Sequence, residues 1–384
     1  MSKAVAIAVL WLLAIGFCPL VAADPTSGVS SDLQAIYART QTATKEADYT
    51  EIARDCSKII PDPKRPESDK SYAKRLFAWA LNRRGEVRSE AAAQLVREEK
   101  YQEAQLLDQQ AGKDFATAVK YAPDNWRIHH NLAISQAMQG KYPEAIAAFT
   151  QVLALKNDYP NAFYNRAELY FEQEKFAESI RDYSQAIELA PGDASYYNGR
   201  AHARFMLNEI ESAVADYSRA VELDATNAAY LTDLADAFQS TGQWEQAATR
   251  YRQAVAVDKK YARAYRNVAW LLATCPEKRF RNPNLAVSAA QKAIELAGDK
   301  DYRSLDTLAA ATAATGDSTK AAELVRQALA LAPENVREEI TERAQVYDQG
   351  GSFVQAKPQL ELNPIGVAPS EVRTASAADA PKKR

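Results

Sequence analysis

Residues 160–193 read PNAFYNRAELYFEQEKFAESIRDYSQAIELAPGD, and residues 194–227 read ASYYNGRAHARFMLNEIESAVADYSRAVELDATN. Laid one over the other, the two blocks agree in residue size: Ala167 falls on Ala201, Ser179 on Ala213 and Tyr183 on Tyr217. The beat runs on in both directions. Ala133, Ala167, Ala201, Ala235 and Ala269 stand 34 residues apart, and so do Phe115, Phe149, Tyr183, Tyr217 and Tyr251. A third track holds Ala145, Ser179, Ala213 and Ala247. Self-similarity at a fixed period in this range marks a chain built from one stacked supersecondary unit.

Each block reads as two amphipathic helices. In the block from 126, helix A runs from Trp126 to Gln139, Gly140-Lys141 makes a turn, and helix B runs from Tyr142 to Leu155. Ile146, Phe149, Val152 and Leu153 recur at three- and four-residue spacing, as one buried helical face requires. Small residues at 133 and 145 let helices A and B cross closely, where a larger side chain would overpack. Phe149 is large because it fills the gap between one unit and the next. The following block repeats this with Ala167, Phe176, Ser179, Tyr183 and Ala186, and Pro191 stops its helix B.

This pattern resembles the tetratricopeptide repeat. The family's Gly at the eighth position is Ala in every unit here, and its Trp at the fourth becomes Phe163, Tyr197, Leu231 and Tyr265. Its closing Pro survives as Pro123, Pro191 and Pro333. The resemblance implies an all-α, right-handed superhelical solenoid of tandem helix-turn-helix units. The array is expected over 126–335, divided as 126–159, 160–193, 194–227, 228–261, 262–301 and 302–335. The unit from 262 is long by a polar loop, Glu277–Asn284, and the stretch LATCP followed by LDTLAAA resembles exported bacterial members of the family.

Outside the regular centre the pattern loosens. Residues 71–125 read as an irregular unit, with helix A at Ser71–Gly85 and a second helix stretched to Asn125. Residues 32–70 read as a degenerate N-terminal cap, as terminal repeats usually are. Val336, Ile340, Ala344 and Tyr347 share one face of a capping helix over 336–348. From Gln349 to Arg384 no helical face remains, and a disordered tail is expected. Residues 24–31 read as a linker.

Lys3 precedes an uncharged apolar run, Ala4 to Phe17, followed by Pro19-Leu20-Val21-Ala22-Ala23 ahead of Asp24. Val21 and Ala23 fit the small-residue pattern of a cleavage site. Residues 1–23 are therefore expected to be a signal peptide, cleaved near Ala23, which makes the protein periplasmic or secreted. The same stretch is long enough to span a bilayer if uncut, so an N-terminal membrane anchor is the alternative. Export would place Cys56 and Cys275 in an oxidising compartment. Two cysteines far apart in a repeat array read as half-buried structural thiols, not as a bridge.

With 47 basic and 50 acidic residues the formal charge is −3, and both signs are interspersed. Nothing in that balance suggests a nucleic acid or a membrane surface as partner. No catalytic constellation is visible. Ala111-Gly112-Lys113 lacks the first glycine and the hydroxyl of a phosphate loop, and neither a zinc-protease helix nor a nucleophile elbow occurs. No cofactor and no metal are expected from three histidines, His129, His130 and His202. Asp233 and Asp236, three apart, read as a solvated helix face.

What remains is a surface. The resemblance implies that helix A lines a concave groove with its second, fifth, sixth, ninth and twelfth positions. On this chain those are Arg127, His130, Asn131 and Ile134; Tyr164, Asn165, Glu168 and Phe171; Asn198, His202 and Phe205; Thr232, Asp233 and Asp236; then Arg263, Arg266, Asn267 and Trp270. Aromatic and Arg anchors with amide donors suit the capture of a protein or peptide segment. Arg127, Asn131, Asn165 and Asn198 resemble part of a carboxylate clamp known in the family, but Glu168 and Glu172 would repel a carboxylate ligand. The expectation is a non-enzymatic interaction scaffold with a peptide-binding face, and the alternative is a structural or self-assembling envelope component.

Overall fold

The structure is a computed structural model that describes residues 29–298 and 300–356. The expected signal peptide and most of the expected tail lie outside the described residues. Those residues form seventeen α-helices and two single turns of 3-10 helix, without a strand. The fold is an all-α tandem-repeat solenoid. It divides into two compact units, at Pro191 and Gly192.

The first unit holds α1 (Ser31–Thr40), α2 (Glu46–Ile59), α3 (Glu67–Arg97), α4 (Tyr101–Tyr121), α5 (Trp126–Met138), α6 (Tyr142–Leu155), α7 (Pro160–Glu172) and α8 (Phe176–Leu189). The last three pairs are the helix A and helix B of successive repeats. Ala133, Ala145, Ala167 and Ser179 at the crossings are wholly buried, as is Phe149. Ser179 shows why a hydroxyl is tolerated there: its Oγ donates to the Ala167 carbonyl at 2.9 Å.

The irregular repeat departs from the expected division. Helix α3 runs unbroken for 31 residues, straight through Gly85, and α4 takes another 21. Gly85 serves a helix crossing and not a turn, since a Cβ there would lie 2.5 Å from Phe115 Cε1. Both helices are lengthened, not the second alone. The turn between them falls at Glu99, whose φ is 60°.

That turn recurs along the chain. Gly140, Glu174, Asn208, Gly242 and Gly316 all take positive φ between helix A and helix B. At Glu99, Gly140, Glu174, Asn208 and Gly242, the residue after the left-handed one closes back on the last turn of helix A. Lys100 N donates to Leu95 O at 2.9 Å, Lys141 N to Gln136 O at 2.9 Å, and Gln243 N to Phe238 O at 2.8 Å. This arrangement satisfies carbonyls that a helix end leaves open.

A further 34-residue track escaped the reading of residue size. Arg166 grips Asp182 with two bonds at 2.7 and 2.9 Å, and Arg200 grips Asp216 with two at 2.8 Å. Arg84 and Asp114 do the same between α3 and α4, at 2.9 and 2.6 Å. The acids are buried and each is held by a planar guanidinium fork from the paired helix, the geometry suited to a desolvated carboxylate.

The second unit holds α9 (Ala194–Met206), α10 (Ile210–Leu223), α11 (Ala228–Ser240), α12 (Trp244–Val257), α13 (Ala262–Thr274), α14 (Pro283–Ala297), α15 (Tyr302–Ala314), α16 (Ser318–Leu331) and α17 (Arg337–Asp348). Ala201, Ala213, Ala235, Ala247 and Ala269 are wholly buried, with Tyr217 and Tyr251 packed beside them. The long loop after α13 makes a 3-10 turn at Lys278–Phe280, and Asn282 caps α14 by accepting from Leu285 N. Helix α17 closes the unit with Ile340 and Tyr347 buried. The expectation of a disordered tail from Gln349 needs correcting at its start. Past α17 the chain returns to α13, where Phe353 finds an apolar bed and Gln355 a backbone partner. Cys56 and Cys275 are buried free thiols.

Candidate functional site

The expected groove residues sit on the A helices, and the structure treats them unequally. In the first unit, α5 carries Arg127, His130 and Asn131. The Arg127 guanidinium stacks 4.6 Å from the Trp126 ring centre. His130 is not presented at a surface. It is buried between the edges of Phe149 and Tyr159, at 5.6 and 5.3 Å, and neither ring nitrogen has a protein partner. That burial lowers its pKa to about 4. Asn131 is engaged by α3, donating to Asn82 Oδ1 at 3.0 Å and Glu86 Oε1 at 2.9 Å.

On α7, Tyr164 and Phe171 are half-buried: Tyr164 leans on Tyr183 at 5.8 Å and Phe171 on Phe176 at 5.3 Å. Glu168 accepts the Tyr183 hydroxyl hydrogen bond, which ties this acid to helix B. Asn165 is buried with its Nδ2 lacking a protein acceptor.

In the second unit, three consecutive A helices are joined by polar side chains. Arg263 of α13 reaches Asp233 at 2.8 Å and Asp236 at 2.6 Å, both on α11. Asp236 also accepts from Asn267 at 2.8 Å and from the Tyr251 hydroxyl at 2.5 Å. Asp233 accepts from Asn198 of α9 at 3.2 Å, and His202 Nε2 lies 3.5 Å away. Arg266 is buried and donates to Asn267 at 3.2 Å. The two aspartates are therefore not a solvated face. Both are buried, because the next repeat brings a cation over them.

Burial acts on both carboxyls, with different results. For Asp233, desolvation pushes the pKa up, but Arg263, His202 and Asn198 outweigh it and hold the group below the usual carboxylate range. For Asp236 desolvation wins over Arg263 and Tyr251, and its pKa is raised. Beside them lies a small open recess lined by His202, Phe205, Tyr217, Asp233, Asp236, Ala237 and Arg263. Phe205 forms its apolar wall and is 3% exposed, so it is no free anchor. His202 and Arg263 keep 35% and 26% of their side chains open. Within this network, these two side chains are the ones a partner could reach.

Trp270 is not the open aromatic platform the sequence suggests. It is 4% exposed, capped by Phe353 at 5.8 Å and by the Arg343 guanidinium at 5.5 Å. Arg343 is itself fixed by Asp306 through bonds of 3.0 and 2.7 Å. Arg343, Asp306 and Phe353 were missed from sequence. Arg343 falls between Ile340 and Tyr347 on the face of α17 that is buried, which was the available signal. Among the described residues no cluster of three or more potential ligands could hold a metal ion.

Comparison with known proteins agrees with the repeat fold. A family model described as a TPR repeat matches residues 137–174 and 235–272, and models described as tetratricopeptide repeats match 160–193 and 194–227. The chain is a tetratricopeptide repeat protein. A tetratricopeptide repeat protein from Parabacteroides merdae ATCC 43184 is similar at 17% identity and a TM-score of 0.51, over 69% of this chain and 98% of its own. YrrB, described as a TPR protein with an unusual peptide-binding site, is similar at 19% identity, over 50% of this chain and 95% of its own, with a TM-score of 0.41. The first TPR of Spaghetti (RPAP3), solved bound to the HSP90 peptide SRMEEVD, is 31% identical over 30% of this chain and 91% of its own, with a TM-score of 0.29. Comparison with curated proteins gives no match.

Proposed function

We propose that this tetratricopeptide repeat protein is an exported, non-enzymatic adaptor that holds a segment of another envelope protein along the concave face its A helices would line. Tetratricopeptide repeats mediate protein–protein interaction, which sets the class of partner. The observation that carries the reading is the polar network of α9, α11 and α13. This network differs from the Arg–Asp forks inside each repeat, because it joins successive A helices. Here Arg263 binds two buried aspartates, and His202 and Arg263 stay partly open at the mouth of a small recess. Preorganised polar groups of this kind give specificity, since a partner that fails to match them leaves them unpaired. In the first unit Tyr164 supplies a half-buried aromatic contact of the type that dominates peptide capture.

Export rests on the N-terminal pattern Lys3, Ala4–Phe17 and Val21-Ala22-Ala23. Among the described residues no helix is long and apolar enough to cross a membrane. Two measurements test the proposal. N-terminal sequencing of the protein from cell fractions should find Asp24 first in an exported fraction, and an intact Met1 in a membrane pellet would replace export with anchoring. Capture from envelope extract should give a protein held by the wild type and lost by Tyr164→Ala/His202→Ala, with the melting temperature of the variant kept. Identical capture by both would remove these faces from the binding site.

A further inference from the structure

Residues 352–356 do more than trail from the last helix. Their burial alternates, with Phe353 and Gln355 turned inward and Ser352, Val354 and Ala356 exposed. That alternation is the signature of an extended chain lying on a surface. Two kinds of contact hold it to α13. The Phe353 ring packs on Trp270 at 5.8 Å and lies 5.8 Å from the Arg343 guanidinium. Gln355 N donates to Thr274 O at 2.8 Å. Thr274 is the last residue of α13, and carbonyls in a final helical turn have no partner within the helix. Part of the bed is held by contacts that do not involve the segment: Asp306 fixes Arg343, and Arg343 stands over Trp270.

The fit of the chain's own segment is incomplete. Trp270 is 4% exposed, yet its indole Nε1 has no protein acceptor, and Val354 leaves 40% of its surface open. A backbone-bonded, single-aromatic contact is also simple enough for another chain to reproduce. It has the form of peptide recognition in which main-chain bonds give affinity and one pocket gives specificity.

We propose that the Trp270 face of α13 is a binding site for an extended peptide segment that carries an aromatic side chain and, two residues later, a free backbone N–H. Ser352–Ala356 is its occupant in cis, and a partner segment of the same chemistry displaces it. The tether gives the cis segment an effective concentration on the order of millimolar, so the resting site is closed to weak ligands and opens to those that also bind elsewhere on the A helices. The inference deepens the adaptor reading and rests on it for the identity of the partner as another protein. The two fail separately, because the site is tested with a synthetic peptide and the adaptor by capture from extract.

The test uses the full chain and a fluorescent peptide of residues 350–356, GGSFVQA. Phe353→Ala should open the site and bind this peptide at least tenfold more tightly than wild type does. On the opened chain, a peptide with Ala for Phe, and one N-methylated at the Gln, should each lose at least tenfold. Helical circular dichroism and the melting temperature check that Phe353→Ala is folded. Amide exchange supplies a second readout in the unmodified protein: Gln355 should be protected, and saturating peptide should remove that protection. Equal binding by both chains, indifference to either peptide change, or an unprotected Gln355 would overturn the proposal. Concentration-dependent dimerisation of wild type, abolished by Phe353→Ala, would overturn it in another way, by showing that the segment is exchanged between two copies.

Discussion

A single side chain can make this protein sensitive to mild acid. His130 has a pKa lowered to about 4 against an ordinary 6.5, through burial without a polar partner. The unfolded chain takes up its proton near 6.5 and the folded chain only near 4, so between these values the unfolded state binds more protons. Stability from this group is therefore complete above 6.5, falls as pH drops toward 4, and levels off below, with a total loss of roughly 3 kcal/mol. His130→Phe should flatten that part of the profile, measured as the difference between wild-type and variant unfolding free energies from pH 7 to 4. A constant difference would mean that His130 is solvated in the folded state. At the crossing of α9 and α10, Ala201 is wholly buried. Ala201→Leu should cost roughly 1–3 kcal/mol by overpacking, read from urea unfolding.

Helices here are joined by turns and ion pairs that carry their own energies. Glu99 sits at φ 60° and is exposed, a conformation that costs an L side chain about 1–2 kcal/mol and glycine almost nothing. Glu99→Gly should therefore raise stability by about 0.5–1 kcal/mol once the larger unfolded-state entropy of glycine is subtracted. A lowered melting temperature would show that the glutamate side chain stabilises the turn. Asp216 stands at the opposite extreme. It is buried and held by both Arg200 and Arg204, at 2.8 and 2.7 Å. Asp216→Ala should leave two half-buried cations without their carboxylate and cost about 2–3 kcal/mol, less than a fully buried pair because water still reaches the guanidinium groups. A loss below 0.5 kcal/mol in thermal or urea unfolding would mark the pair as a surface contact in solution.

At the scale of the whole molecule, a repeat chain spreads damage locally, since each unit touches mainly its neighbours. Hydrogen exchange on Ala201→Leu should show protection lost over α9 to α11 and kept in α1 and α2. Uniform loss would mean that the chain unfolds as one cooperative body. The sequence by itself determined the all-α repeat fold, because small and aromatic residues recurring at 34-residue spacing admit only one way to bury them, by stacking identical helix pairs. It also placed the A helices and their polar residues. What it could not decide was which of those residues reach a surface. Asp233 and Asp236 are buried because Arg263 arrives from the next repeat, and Gly85 lies inside α3 because Phe115 crosses it. Trp270 is covered because Arg343 and Phe353 fold back over it. Periodicity records contacts that recur from repeat to repeat; the grip of Arg263 on Asp233 and Asp236 and the returning chain end each belong to one place in the fold, and only the tertiary structure fixes them.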